Sequence, residues 1–551
     1  MLDFKRIKMK RNIKNIIIAS LLVLGASGCS KILDEYNPSG LTSETVFTTP
    51  EGFESLVNAA YAYQRWWYGK EEGYSMSEMG TDLWMSGAGD TFPDLMKYIN
   101  LQGGNAAIQS EWKALYSAVN VCNAGIERID LANLNDNVKA VRLAELRFLR
   151  AFYYWHILET WGGVHLTTTE TSGIVTTANK TSVEEFYALI ESDLLAAIKS
   201  LPRTTTDYGR VTAPAARSFL SRVYLSHGKY KEANDYALSV INGNYGFELL
   251  KNYGDLWNMA NLKNKEVVYA VNYSTNLALN DIADKILNPL GHNRGSNNGH
   301  LLFLMKYDTE TAMQRDLTNG RPFNRYMPTR FLLDLYSEAD SRYEGSFKEV
   351  FFSNNPTATI KLGDTAVYAT RRNMIGTTKP FKIYDRNYIY ATDGKVKDQL
   401  RYPSLIKFLD PTRPSSNEAQ SARDVFVIRY AELYLNAAEA QINLGNRDSA
   451  AHWVNIIRRR AAKSGSEEKM KVSANQMTLD FILDERAREF AGEQIRWFDL
   501  KRTGKLIERV KAHNPDIADY IQDYHKVRPI PQAQLDAIVN KDEFTQNEGY
   551  Q

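Results

Sequence analysis

Apolar side chains return every three or four residues from position 51 onward, the period of a helix that buries one face. Phe53, Leu56, Val57, Ala60 and Tyr61 mark the first such stripe. The pattern predicts paired helices over 111–129 and 138–161, a second pair over 182–200 and 213–227, and a further helix over 230–242. Ser182 followed three residues later by Glu185 is a capping box that opens the helix at 182, and Leu201-Pro202 closes it. The Gly-rich stretch 69–105 reads as loops and short helices, with Trp84 embedded in TDLWMSGAGD. Between 245 and 420 the helical rhythm fails. That stretch holds Gly-Asn-Ser clusters (GHNRGSNNGH, 291–300), many Thr and Tyr, and short β-like runs at 266–272 and 365–370. Helical periodicity resumes over 425–444, 447–461, 479–490 and 496–510.

One unit recurs in the helical parts: Tyr or Leu near a helix end, Gly, then Ala-x-x-Tyr/Trp-Ala in the next helix. Small Ala and Gly let two helices approach closely, and no pair can bury its apolar face without a stacked neighbour. The unit resembles a tetratricopeptide repeat of about 34 residues. The expected fold is mainly α: a tetratricopeptide-like helical-repeat scaffold of about four units with a long irregular insertion carrying short strands. Residues 51–244 form its N-terminal helical part, 245–420 the insertion and 421–551 its C-terminal helical part. Irregular excursions on rigid frames are where binding residues gather.

Composition supports a soluble body. The chain has 551 residues, 44% of them hydrophobic and 24% charged, enough for one large core or two ordinary ones. The formal charge of +2 is misleading, because the first 28 residues carry six cations against Asp3 and the remainder is mildly acidic. That balance gives no electrostatic reason to expect a nucleic-acid partner. The cations end at Lys14 and are followed by the apolar run NIIIASLLVLGA and Ser27-Gly28-Cys29. A basic start, a short apolar run and small residues before a cleavage point make a secretory signal, and the run is too short to span a bilayer. The Ala-Ser-Gly-Cys sequence resembles a lipobox, although Ala26 stands where Leu is commonest. That resemblance implies removal of 1–28, acylation of Cys29 and a polar tether over 29–50. Cys122, the other of the two cysteines, is left unpaired in a helical pattern, where a small buried thiol is expected.

Six segments, in order along the mature chain, resemble the SusD/RagB family of outer-membrane nutrient-binding lipoproteins: RFLRAFYYWHILETWGGVHL (147–166), DSRY (340–343), IRYAELYLNAAEA (428–440), DERAREFAGEQIRWFDLKR (484–502), RPIP (528–531) and QNEGY (546–550). Glu548 departs from the usual Pro. The resemblance implies a lipid-anchored protein at the outer membrane, facing the exterior. It would capture oligosaccharides, or in some members peptides, for a TonB-dependent β-barrel transporter of the SusC type. Two alternatives stay open: an oligopeptide-binding member of the family, and a tetratricopeptide adaptor that recruits other proteins.

Catalytic chemistry finds little support. Glu485, Glu489 and Glu493 recur every four residues and would share one face of an unbroken helix, and glycosidases use carboxyl pairs. Arg486, Arg488, Arg496 and Arg502 are interleaved with them, which favours ion pairing and low pKa values. The eight His show no close metal-ligand spacing, no GxSxG occurs, and no cofactor is expected, although loop Asp and Asn could hold calcium. Neutral sugars are met by aromatic rings beside Asn, Asp or Arg, so loop aromatics are the candidates. Trp84 with Asp82 fits best, followed by Trp66 and Trp67 at the helix end before Gly69, by Tyr74, and by Phe323 with Arg325 in RPFNRYMP. His292 and His300 flank a loop that could also touch ligand. The competing reading for every one of these is packing between insertion and helices. Trp112, Trp155, Trp161, Trp453 and Trp497 lie on helical patterns and are expected in the core.

Overall fold

The computed structural model of the protein describes residues 46–280 and 297–551. Cys29, the leader at 1–28, the tether up to residue 45 and His292 lie outside the described residues.

The longer helices are α1 (Pro50–Ala62), α2 (Glu71–Glu78), α3 (Ala106–Arg128), α4 (Asp136–Trp161), α5 (Val183–Ser200), α6 (Ala213–Ser226), α7 (Tyr230–Ile241), α8 (Tyr430–Asn443), α9 (Arg447–Ala461), α10 (Leu479–Phe490), α11 (Arg496–Arg502) and α12 (Leu506–His513). Local chemistry sets their starts. Asn105, Asn135 and Thr212 cap α3, α4 and α6 with side-chain oxygens, and Ser182 and Glu185 form the reciprocal capping box of α5. From α3 to α9 each helix packs on the next, and α10 packs back on α8. The stack is continuous across α7 and α8, although all of 242–429 lies between them in sequence.

The strands are short: β1 (Trp84–Ser86), β2 (Val267–Val271), β3 (Tyr326–Pro328), β4 (Phe347–Lys348), β5 (Val350–Phe352), β6 (Thr365–Ala369), β7 (Lys382–Tyr384), β8 (Ser404–Leu405) and β9 (Val425–Arg429). They form two-stranded sheets β1-β3, β2-β9 and β4-β8 and a three-stranded sheet β5-β6-β7. The runs expected at 266–272 and 365–370 are β2 and β6. Residues 425–429, read above as the start of a helix, are instead a strand. Antiparallel to β2, with Val271 opposite Val425 and Ala270 opposite Phe426, they clasp the neck of the insertion. A fully buried strand and a buried helical turn give the same unbroken apolar run, so periodicity could not separate them. The helix expected over 496–510 is also broken. Gly504, in the left-handed region at φ +69°, ends α11, and α12 begins two residues later.

Two main cores result. One runs through the helical stack and includes Phe53, Phe152, Trp155, Trp161, Phe219, Leu433 and Trp497. The other belongs to the insertion and draws in Tyr74, Trp84, Met85 and Met96 from the loop stretch ahead of α3. Cys122 is free and buried, and Trp453 is only half-buried. Among the described residues no helix is long and apolar enough to cross a membrane.

Candidate functional site

An open groove of about 1370 Å³ runs along one flank of the helical stack. Its floor is a face of α3. Gln109, Lys113, Tyr116 and Asn120 follow one another at three- and four-residue steps, so they share one side of the helix. The far wall is the irregular segment after α4. Tyr116 Oη donates to the carbonyl of His165 at 2.7 Å, Asn123 Nδ2 donates to the carbonyls of Thr167 and Thr169, and Asn120 Oδ1 accepts from Thr171 N at 2.7 Å. Phe92 stands half-buried on the rim beside Pro93 and Asp94, and the residues from Tyr63 to Glu72, with Asn298, close the inner end. Asn298 is fixed there by its backbone N–H, which donates to Gly69 O at 2.8 Å.

The inner end is electrostatically unusual. The Lys70 ammonium lies 3.9 Å from the centre of the Trp66 ring, and the indole N–H of Trp66 has no acceptor among the described residues. Glu111 of α3 is fully buried behind this point, and neither of its carboxyl oxygens has a hydrogen-bond partner among the described residues. Burial pushes its pKa well above the ordinary carboxylate range. The charge of Glu72 pushes the same way, and Lys70 opposes both.

The structure takes most of the aromatics singled out in the sequence away from solvent. Trp84 is wholly buried in β1, and its indole N–H donates to Glu78 Oε2 at 2.8 Å. Asp82, expected beside it as a ligand contact, is buried and paired with Arg496 at 2.6 Å and Arg509 at 2.9 Å. Trp67 packs edge-on to His156 and against Phe498, and Tyr74 packs against Phe303 and Phe408. All four are corrected to structural roles, because each is buried and held by fixed packing or pairing partners. His300 is buried too and bonds to the carbonyl of Ala419.

Phe323 and Arg325 keep some exposure. The guanidinium groups of Arg321 and Arg325 each lie 5.0 Å from the centre of the Phe323 ring. Arg325 pairs with Glu71 at 2.7 Å, which ties it to the inner end of the groove. The loop connecting this pair to Phe92 presses its backbone onto 323–325. A Cβ on Gly87 would stand 2.3 Å from Asn324 O, and one on Gly89 would stand 2.2 Å from Phe323 O, so only glycine fits. The groove residues Tyr63, Phe92 and Tyr116 were not among the sequence candidates, whereas Trp66, at the helix end before Gly69, was. The polar and aromatic stripe 109–113–116–120 was the available signal.

The carboxylates weighed for catalysis form a buried ion network. Glu485 pairs with Arg342, Arg458 and Arg488 at 2.8 to 2.9 Å. Glu489 pairs with Arg342, Arg429 and Arg460, and Glu493 with Arg429 and Lys407. Burial works to raise Glu489, but Arg460, Arg429 and Arg342 outweigh it and hold the carboxyl at about 2. A carboxylate held ionised in this way is the opposite of a general acid. Among the described residues no group of three or more His, Cys, Asp or Glu could hold a metal ion.

Two family models match the chain. One, described as the SusD family, covers residues 284–550, and the other, described as starch-binding and associating with the outer membrane, covers residues 31–225. A SusD-like protein of Formosa agariphila is 22% identical over 564 residues, spanning 98% of this chain and 99% of that protein. The starch-binding protein SusD of Bacteroides thetaiotaomicron is 24% identical over 515 residues, spanning 87% of this chain and 85% of that protein. Among solved structures, surface glycan-binding protein A of Bacteroides thetaiotaomicron, in complex with laminarihexaose, superposes with a TM-score of 0.65 at 21% identity. The match covers 91% of this chain and 100% of that one. At this identity the structural likeness speaks for the fold.

Proposed function

The chain belongs to the SusD/RagB family, and from that premise we propose that it captures oligosaccharides at the bacterial surface and passes them, chemically unchanged, to a TonB-dependent barrel transporter of the SusC type. The acyl chains on Cys29 would hold it to the outer membrane, on the exterior face. The observation that carries this reading is the groove. It is open along its length and lined by Tyr63, Phe92 and Tyr116 next to Asn105, Gln109 and Asn120. Rings give flat apolar surface for the C–H faces of sugars, and the amides beside them can both donate to and accept from hydroxyls. The ionised, fully paired carboxylates of the α10 network support binding without turnover. The names of relatives that bind starch or laminarihexaose support the same ligand class.

Calorimetric titration of the mature chain tests this, using neutral hexasaccharides (laminarihexaose, maltohexaose, cellohexaose and xylohexaose) and a matched set of peptides. Binding to at least one glycan is expected, weakened about tenfold, or about 1.4 kcal/mol, in Phe92→Ala. Binding to peptides alone would replace this reading with peptide capture, and turnover of any glycan would make the protein an enzyme.

A further inference from the structure

Three unsatisfied features meet at the inner end of the groove. Trp66 lines the groove, yet only 2% of it is exposed: it packs with Ala114 and Tyr63, and the Lys70 ammonium rests on its ring. The Lys70 ammonium has no carboxylate or hydrogen-bond partner among the described residues, so its contact with the ring stands in for an ion pair. Glu111, close enough for its charge and that of Lys70 to act on one another, has two carboxyl oxygens and, among the described residues, no hydrogen-bond partner for either. A buried cation resting on a ring beside a buried, unpaired carboxyl is half of an arrangement. The other half needs the ring to be occupied by something else.

We propose that Lys70 is a placeholder: a sugar ring entering the inner end displaces its ammonium from the face of Trp66, and the released ammonium pairs with Glu111. This rests on the reading of the groove as an oligosaccharide site and adds the residues that set its inner subsite. The four-carbon stem of lysine gives the ammonium room to swing without movement of the backbone. The sugar gains an aromatic platform that is covered in the free protein, and the buried carboxyl gains the partner it lacks.

A proton is linked to the swing. In the free protein burial, and after it the charge of Glu72 of α2, favour the protonated form of Glu111, with Lys70, just ahead of α2, opposing. Pairing with Lys70 lowers the Glu111 pKa, so the proton on its carboxyl oxygen leaves to solvent as the carboxylate forms. Binding of an uncharged ligand then releases a proton, which a purely structural role for these residues cannot produce.

The test is calorimetry of the full mature chain at pH 7 in two buffers of different ionisation enthalpy, with the four neutral hexasaccharides as probes. The expected result is release of about one proton per bound ligand. It should be abolished in Glu111→Gln and in Lys70→Ala, both still binding. Affinity should fall about three- to tenfold in Glu111→Gln, where the displaced ammonium has no carboxylate to reach. Near-ultraviolet circular dichroism of the two variants, unchanged from the parent, establishes that both are folded. Binding by the parent without proton release, or release persisting in Glu111→Gln, overturns the placeholder and leaves the glycan reading standing. No binding to any of the four hexasaccharides overturns both.

Discussion

Glu78 shows how far burial alone moves a side chain in this protein. It accepts hydrogen bonds from Trp84 Nε1 at 2.8 Å and from the backbone N–H groups of Ile495 and Arg496, yet burial raises its carboxyl from 4.5 to about 7. The folded state therefore keeps this proton after the unfolded chain has released it. The resulting contribution to stability is complete below about pH 4.5 and is lost as the pH rises through about 7. Glu489 has the opposite sign. Despite its burial, its three arginines depress it to about 2, so its contribution is present above about pH 4.5 and disappears as the pH falls towards 2. Urea unfolding of Glu78→Gln across pH 4.5 to 7 should lack a decline of about 3 kcal/mol that the parent shows. Equal slopes in the two proteins would remove Glu78 as the source. Such residues also mark where sequence reading stops. A Trp and an Asp in a Gly-rich tract look exposed. Trp84, however, is sealed by a strand partner at Pro328, and Asp82 by arginines at 496 and 509, and no local pattern encodes those distant neighbours.

Helices were the most legible elements, because their signals are local. The sequence bounds of α9 and α10 agree with the structure to the residue, and the capping box of α5 is present with both of its hydrogen bonds. Ser182→Ala should lower stability by about 1 kcal/mol in urea unfolding. A change below about 0.3 kcal/mol would mean that the box is idle, since glycine at such a position costs only a few tenths. Strand β9 was misread for the reason its burial shows. All five of its residues are inside, so no polar alternation remains to betray a period of two. The groove was harder still. Its floor on α3 is a visible stripe, but its far wall and its inner end come from segments that meet that stripe only in the folded chain.

At the scale of the molecule, the ion network joins what sequence separates. Glu266 of the segment entering β2, Arg342 and Lys407 of the insertion, Arg429 of β9, Arg460 of α9 and Glu489 of α10 are all buried; Arg429 and Arg460 each bridge Glu266 and Glu489, Arg342 pairs with Glu489, and Lys407 donates to the Glu489 carbonyl. Taking one partner from a buried cluster strands the opposite charges, so Arg429→Met should destabilise by about 3 to 5 kcal/mol. It should also make the 245–420 stretch the first to be cut in limited proteolysis. A variant with parental stability and cleavage pattern would show that the network is not the joint between the two cores. The continuity of the stack across α7 and α8, with Tyr430 Oη donating to Ile241 O and Gln441 to Asn234, sets a condition on biosynthesis. The ribosome finishes α7 and must then translate everything up to residue 443 before the matching helix exists. At about 5 to 20 residues per second this leaves the apolar side of α7 bare for on the order of ten seconds or more. Under the proposed surface function the chain is exported, and such a delay then calls for a holding chaperone or a late, single-step collapse beyond the inner membrane.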